Sequence, residues 1–213
     1  MFPPFRTRTK AILTTVLFAL AWSGAIAFGT RTLIRYENTP GQIGVVPQVW
    51  PARSSLQRAL DRPTLVMLAH PRCPCSNTSM DELAKTLAQV HERVRVYVLF
   101  LTPQGSRDWE ETSLRRRAAA IPGVTVLSDI DGTEARLFGA ETSGHALLFD
   151  AAGRLLFSGG ITSSRGHAGD NAGESAIVSL INGGNAARST AFVFGCSLTG
   201  RFEKGNQQHG YRR

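Results

Sequence analysis

The apolar positions of this chain change period several times, and the changes predict its elements. Ala11 to Phe28, AILTTVLFALAWSGAIAF, carries no charge and shows no polar face, which predicts a membrane-directing helix rather than a helix packed on a globular core. Residues 29 to 55 hold neither helical nor strand period, include Tyr36-Glu-Asn-Thr-Pro-Gly41 and Val45-Val-Pro47, and read as a linker. Ser54 to Leu60 predicts a short helix before Pro63. Thr64-Leu-Val-Met-Leu-Ala69 is an apolar run of strand length, the kind that fills a buried central strand. It runs directly into His70-Pro-Arg-Cys-Pro-Cys75. After that, Ser76 to Val90 puts Met80, Leu83, Leu87 and Val90 on one helical face, with Ser76 to Ser79 as capping side chains.

Val94 to Leu101, rich in β-branched and aromatic residues, predicts a second strand. Trp109 to Ala120 predicts a helix stopped by Pro122-Gly123, Val124 to Leu127 a short strand, and Asp131 to Phe138 a brief helix ended by Gly139. Ala146 to Phe149 and Arg154 to Phe157 surround Ala151-Ala-Gly153 and predict a hairpin. A glycine-rich loop, Ile161 to Gly173, leads to a last helix over Glu174 to Ile181. The order is that of an α/β domain, a mixed sheet flanked by helices, over residues 56–182. It follows the membrane segment at 1–28 and the linker at 29–55. Residues 183–213 form a glycine-rich polar tail, broken by the apolar stretch Ala191-Phe-Val-Phe-Gly-Cys196.

Composition adds limits. The 213 residues, 42% hydrophobic, suffice for one domain plus a targeting segment and a tail. The formal charge of +8 is scattered along the chain, with Arg115-Arg-Arg117 its one short run, and makes no basic stripe interleaved with aromatics; nucleic-acid binding is not expected. Arg6, Arg8 and Lys10 precede the apolar segment and favour an inside amino terminus. The expectation is a single-pass anchor in the cell membrane with the domain in the periplasm or otherwise outside the cytoplasm. Ala25-Ile-Ala27 has the small-x-small form of a cleavage site, so release of a secreted or periplasmic domain after signal cleavage stays open.

The chemistry centres on Cys73 and Cys75. Thiols at a strand end and helix start meet free amide groups and the positive end of the helix, which stabilise a thiolate. Cys73 is the expected nucleophile and Cys75 the resolving thiol, with Arg72 adding positive charge and His70 tuning the thiol. Pro74 between them argues against simple burial. Cys196 makes the cysteine count odd and stands as a third functional thiol, an intermolecular bridge or a reactive leftover, with Phe192, Val193 and Phe194 able to dock the tail. Arg165, Gly166, Asp170 and Asn171 make a loop denser in charge and turn formers than most, and His91 at a helix end reads as a dipole partner.

The element order and the cysteine pair resemble the thioredoxin superfamily over about residues 60–182, particularly its membrane-tethered extracytoplasmic members and the RedB-type subgroup. The resemblance implies a thioredoxin-like sheet flanked by helices, Cys73 as an exposed attacking sulfur, and thiol–disulfide exchange with protein or small-molecule thiols, without a cofactor. Two departures stand out. One residue rather than two separates the cysteines, so that Ser76 falls where the second cysteine usually stands. Thr142-Ser-Gly-His145 replaces the usual cis-proline, with Gly144 as nearest match and Gly144 and His145 shaping substrate access. Loss of that proline uncovers the sulfurs, which supports an alternative resembling the Sco-type copper chaperones: Cu(I) held by Cys73, Cys75 and a histidine, His145 or His167. A non-catalytic thioredoxin-like adaptor is the third reading.

Overall fold

The computed structural model describes residues 5–198 and divides the chain into two compact units, at residues 39 and 40. The first holds helix α1, Phe5–Glu37. Its stretch Ile12–Glu37, 26 residues that include an 18-residue run of mean hydropathy 1.9, is long and apolar enough to cross a membrane, since at 1.5 Å per residue it reaches about 39 Å against a hydrocarbon core of about 30 Å. The helix enters the stretch expected as linker because nothing between Gly29 and Glu37 breaks it. It stops ahead of Pro40, where the Asn38 side chain donates back to the Ile34 carbonyl at 2.8 Å.

The second unit is built on a five-stranded sheet of order β3-β2-β1-β4-β5. β1 (Thr64–Ala69), β2 (Arg95–Thr102) and β3 (Val124–Ile130) are parallel, while β4 (His145–Phe149) runs antiparallel to β1 and β5 (Leu155–Gly159) antiparallel to β4. Every residue of β1 and β4 is buried, as the unbroken apolar runs require of strands covered on both faces. Register sorts them by face. Leu65, Met67, Ala69, Ala146 and Leu148 pack with Met80, Leu83 and Leu87 of α2 (Cys75–Val90), Leu114 and Ala118 of α3 (Ser113–Ala119), and Ala176, Ile177 and Ile181 of α5 (Ala172–Ile181). Val66, Leu68, Leu147 and Phe149 face the other way, onto Leu56, Ala135 of α4 (Thr133–Leu137), Phe138 and Leu198.

Ser54 to Leu60 does not form the expected helix. Both serine hydroxyls and the Ser55 amide are spent on the Glu134 carboxylate, at 2.6 to 2.8 Å, and side chains that bind elsewhere in this way compete with the helical ladder. The helix expected from Trp109 is divided between a single turn at Arg107–Trp109 and α3, because Thr112 caps α3 by accepting from the Arg115 amide at 3.3 Å.

The largest departure is at the carboxyl end. Residues 189–198 fold back as a strap beside the β4–β5 end of the sheet. Ser158 donates its amide to Ser189 at 3.0 Å, Gly160 to Phe192 at 3.2 Å, Gly41 to Val193 at 2.8 Å and Ser143 to Cys196 at 2.8 Å, and the Leu198 amide donates to Glu141 at 2.8 Å. Val193, Phe194 and Leu198 are buried. A Cβ on Gly159 would stand 2.5 Å from the Ala191 nitrogen, so this close backbone approach needs a glycine.

Candidate active site

The His70–Cys75 turn lies between the end of β1 and the start of α2, as its position after an apolar strand and before a capped helix requires. The Cys73 amide donates to the His70 carbonyl at 3.1 Å and the Ser76 amide to the Cys73 carbonyl at 3.2 Å. The resemblance implied an exposed attacking sulfur at Cys73, and here the structure differs. Cys73 is only 2% exposed, because the strap passes over it and the Cys196 amide donates to its sulfur at 3.3 Å. Cys75 and Cys196 are each partly exposed, and all three are free thiols.

The environment of Cys73 favours its thiolate strongly. A hydrogen bond from the Cys196 thiol is the largest influence; burial opposes it, and the Ser76 hydroxyl and the amides of Cys196 and Ser76 reinforce it, bringing Cys73 down to about 4. The other two thiols move up. The hydrogen bond to Cys73, then burial and the nearby thiolate, raise Cys196. Burial, then the charge of Cys73, raises Cys75, with Arg165 acting against them. One anionic sulfur is therefore flanked by two protonated ones.

The resemblance drawn from the sequence set Ser76 at the usual place of the second cysteine. Ser76 is 1% exposed, and its hydroxyl lies 2.7 Å from that of Ser143, which accepts from the His70 amide at 2.7 Å. With Ser76 donating to Cys73, donor directions settle into one chain: His70 amide to Ser143, Ser143 to Ser76, Ser76 to the sulfur. Ser143 carried no signal in the sequence, since an isolated serine in a turn is ordinarily a capping residue. Only the pairing of β4 with β1 brings it to the helix start.

The segment Thr142 to His145, where the resemblance set a proline, is conformationally distinct. Gly144 has φ +89° and donates its amide to the Leu68 carbonyl at 2.8 Å; proline, with φ near −65° and no amide hydrogen, cannot take this place. The expectation that its absence uncovers the sulfurs is corrected. A Cβ on Gly195 would lie 2.0 Å from the Ser143 carbonyl oxygen, so the strap backbone fills that space.

The remaining candidates divide. Arg165 reaches the site: its guanidinium donates to the Gly195 carbonyl and bonds Cys75. Arg72 does not supply charge to Cys73 as expected, because its guanidinium pairs with Asp108 and lies 5.0 Å over the Trp109 ring. His70 packs on Trp109 with ring centroids 5.0 Å apart. Its Nδ1 accepts from the Arg72 amide at 3.1 Å, and burial, opposed by the Cys73 charge and helped by Arg72, lowers its pKa. It stays neutral at pH 7, so it positions the turn rather than charging it. His145 is fully buried on the Leu68 face of the sheet, its Nε2 2.8 Å from the Ser158 hydroxyl and its Nδ1 without a partner. His167 is exposed and contacts its own loop at the Arg165 carbonyl, 3.5 Å away. Among the described residues no group of three or more His, Cys, Asp or Glu side chains is placed to hold a metal ion. The ligand set of the copper reading is therefore not assembled: His145 is spent on Ser158 inside the sheet, and His167 belongs to a solvent-facing turn.

No family model matches the chain, and neither does any curated protein. Among solved structures, a hypothetical protein of Sinorhizobium meliloti is similar at 18% identity and TM-score 0.57, over 75% of this chain and 97% of that one. An uncharacterized conserved protein of Geobacillus kaustophilus is similar at 17% identity and TM-score 0.54, over 76% of this chain and 92% of that one. A third, DsbF of MTB in mixed oxidized and reduced forms, reaches a TM-score of 0.43 at 14% identity, over 64% and 99% of the two chains, too loose a likeness to carry weight. With three parallel strands, an antiparallel hairpin beside β1 and a cysteine turn leading from β1 into α2, the second unit of this chain has a thioredoxin-like fold.

Proposed function

We propose that this protein is a thiol–disulfide oxidoreductase working outside the cytoplasm, anchored by α1, with Cys73 as the attacking sulfur. One observation carries the reading. A free thiol just ahead of a helix accepts the Cys196 amide at 3.3 Å, with two further free thiols beside it, and these surroundings favour its thiolate while raising the other two, which is the arrangement exchange chemistry needs. The thiolate attacks a substrate disulfide, forming a mixed disulfide and releasing the first substrate thiolate. A neighbouring thiol, expected from the sequence to be Cys75, loses its proton, attacks Cys73 and expels the second. Two electrons pass from the protein to the substrate, and the reverse sequence oxidises a dithiol. Arg165, beside Cys75, favours the thiolate that leaves or attacks there. Protein or small-molecule thiols are the expected partners, reached when the strap lifts.

The test is exchange with a small disulfide by the purified full chain in detergent. Cys73→Ser is expected to abolish it. His145→Ala, a change inside the sheet, is expected to alter the exchange rate only modestly. Turnover that persists in Cys73→Ser would contradict the reading.

A further inference from the structure

Cys196 is separated from Cys73 by 123 positions and is nevertheless bonded to it. The strap that brings it there is fixed on both sides of the thiol: Arg165 binds the Gly195 carbonyl, Ser143 binds the Cys196 carbonyl, and Thr142 bridges Ser197. Ten positions of an otherwise polar tail are thereby ordered, and their apolar members Val193, Phe194 and Leu198 are buried to hold them. With its amide nitrogen 3.3 Å from the Cys73 sulfur, the Cys196 Cα can be no more than about 4.8 Å from that sulfur, one N–Cα bond further on. Its thiol hydrogen-bonds the same atom. The two cysteines are therefore near neighbours, the first requirement of a disulfide.

Cys75 is differently placed. A bridge to Cys73 would close across Pro74 alone, whose φ is set near −65°. It would have to form inside a turn held by the Ser76 amide to Cys73 at 3.2 Å and the Asn77 amide to Pro74 at 3.3 Å, at the first residue of α2. Cys75 also shares its sulfur with Arg165.

Resting on the oxidoreductase reading, we propose that Cys196, not Cys75, is the resolving thiol, so that the catalytic disulfide is Cys73–Cys196. Cys73 thiolate attacks a substrate disulfide RSSR′; the Cys73–S–SR bond forms, and R′S⁻ leaves and takes a proton from solvent. The Cys196 thiol gives its proton to solvent and its sulfur attacks Cys73, forming Cys73–S–S–Cys196 as RS⁻ leaves and is protonated. Net, two thiols are oxidised and one disulfide is reduced to two thiols. The first attack ends the hydrogen bond to the Cys73 thiolate and then its charge, two of the influences that raise Cys196, while burial remains, so the resolving thiol is made more acidic by the step that precedes it. The strap is then cover, hydrogen-bond donor and attacking partner in turn, and Cys75 stays beside Arg165.

The experiment uses the full chain in detergent with one equivalent of an aryl disulfide whose released thiolate is coloured. Wild type and Cys75→Ser are expected to release about two equivalents of thiolate, the second slowed no more than about threefold in the variant, and peptide mapping is expected to find Cys73 joined to Cys196. Cys196→Ser and Cys196→Ala are expected to stop at about one equivalent, with the aryl group retained on Cys73, or to release the second at least about tenfold more slowly. Mapping needs no variant, so it holds even if the strap substitutions disturb folding. A Cys73–Cys75 bridge in wild type, with the second release intact in Cys196→Ser, would overturn the assignment and leave the oxidoreductase reading standing. Attack at Cys73 no faster than at a free cysteine would instead overturn that reading, and the assignment with it.

Discussion

The amide of Cys196 and the sulfur of Cys73 meet at 3.3 Å, so the segment that sequence reads as part of a polar tail supplies part of the surroundings of Cys73. The thiolate of Cys73 is stabilised through contacts made with Ser76 and Cys196, whereas Arg72, its sequence neighbour, is engaged by Asp108 and Trp109.

Ser76→Ala removes one donor to that thiolate and breaks the chain from Ser143. The Cys73 pKa is expected to rise from about 4 toward the free value near 8.5, by about one unit, the scale of one hydrogen bond to a charged atom. Arg72→Ala is expected to leave the titration in place. Thiolate ultraviolet absorbance against pH reads both; a larger shift in Arg72→Ala than in Ser76→Ala would mean that charge, not hydrogen bonding, governs the sulfur.

Access to Cys73 is set by the strap. Arg165→Ala loses the guanidinium contact to the Gly195 carbonyl and is expected to speed alkylation of Cys73 at pH 7 by about threefold or more, since a local opening costs less when one charged hydrogen bond is gone. Peptide-resolved alkylation rates are the measurement. An unchanged or slower rate would mean that the strap does not limit access.

Gly144→Ala and Gly144→Pro test the segment that replaces the proline. Alanine at φ +89°, with its Cβ 3.1 Å from the Ser79 hydroxyl, is expected to lower stability by about 1–2 kcal/mol. Proline also loses the hydrogen bond to the Leu68 carbonyl and is expected to cost more. Thermal unfolding of the variants gives the order; proline tolerated as well as alanine would contradict this geometry.

His145 carries a pH dependence of the fold itself. Burial lowers its pKa from 6.5 to about 4, so the unfolded chain binds a proton there that the folded chain refuses. Its contribution to stability is whole above pH 6.5, falls as pH drops from there to about 4 by at most about 1.4 kcal/mol per unit, and is lost below. Chemical unfolding between pH 4 and 7 is expected to show this slope in wild type and a shallower one in His145→Asn. Equal slopes would mean that other groups carry it.

Much of the fold was legible because local pattern and tertiary environment agree. Thr64–Ala69 is an unbroken apolar run and is the central strand, and Met80, Leu83, Leu87 and Val90 share a helical face and are buried together. Agreement failed where side chains found distant partners: Ser54 and Ser55 bind Glu134 instead of starting a helix. Of the residues the sequence singled out, Cys73, Cys75 and Arg165 lie together at the turn from β1 to α2, the thiols singled out by their strand-to-helix position and Arg165 by the loop's density of charge. Ser143 was not, nor was the destination of Cys196, because both depend on contacts across the sheet that no spacing encodes. Val193 and Phe194, both buried, did mark the stretch that docks, whereas the Phe192 side chain is exposed.

The proposed function makes Cys73 the sulfur of a redox site. Its most direct test is an equilibrium titration of the full chain in detergent against mixtures of reduced and oxidised glutathione, read by mass after trapping free thiols. The expected result is one two-electron transition in which Cys73 passes from thiol to disulfide, present in wild type and absent in Cys73→Ser. A titration in which Cys73 stays reduced at every ratio, or in which the transition survives in Cys73→Ser, would contradict the account.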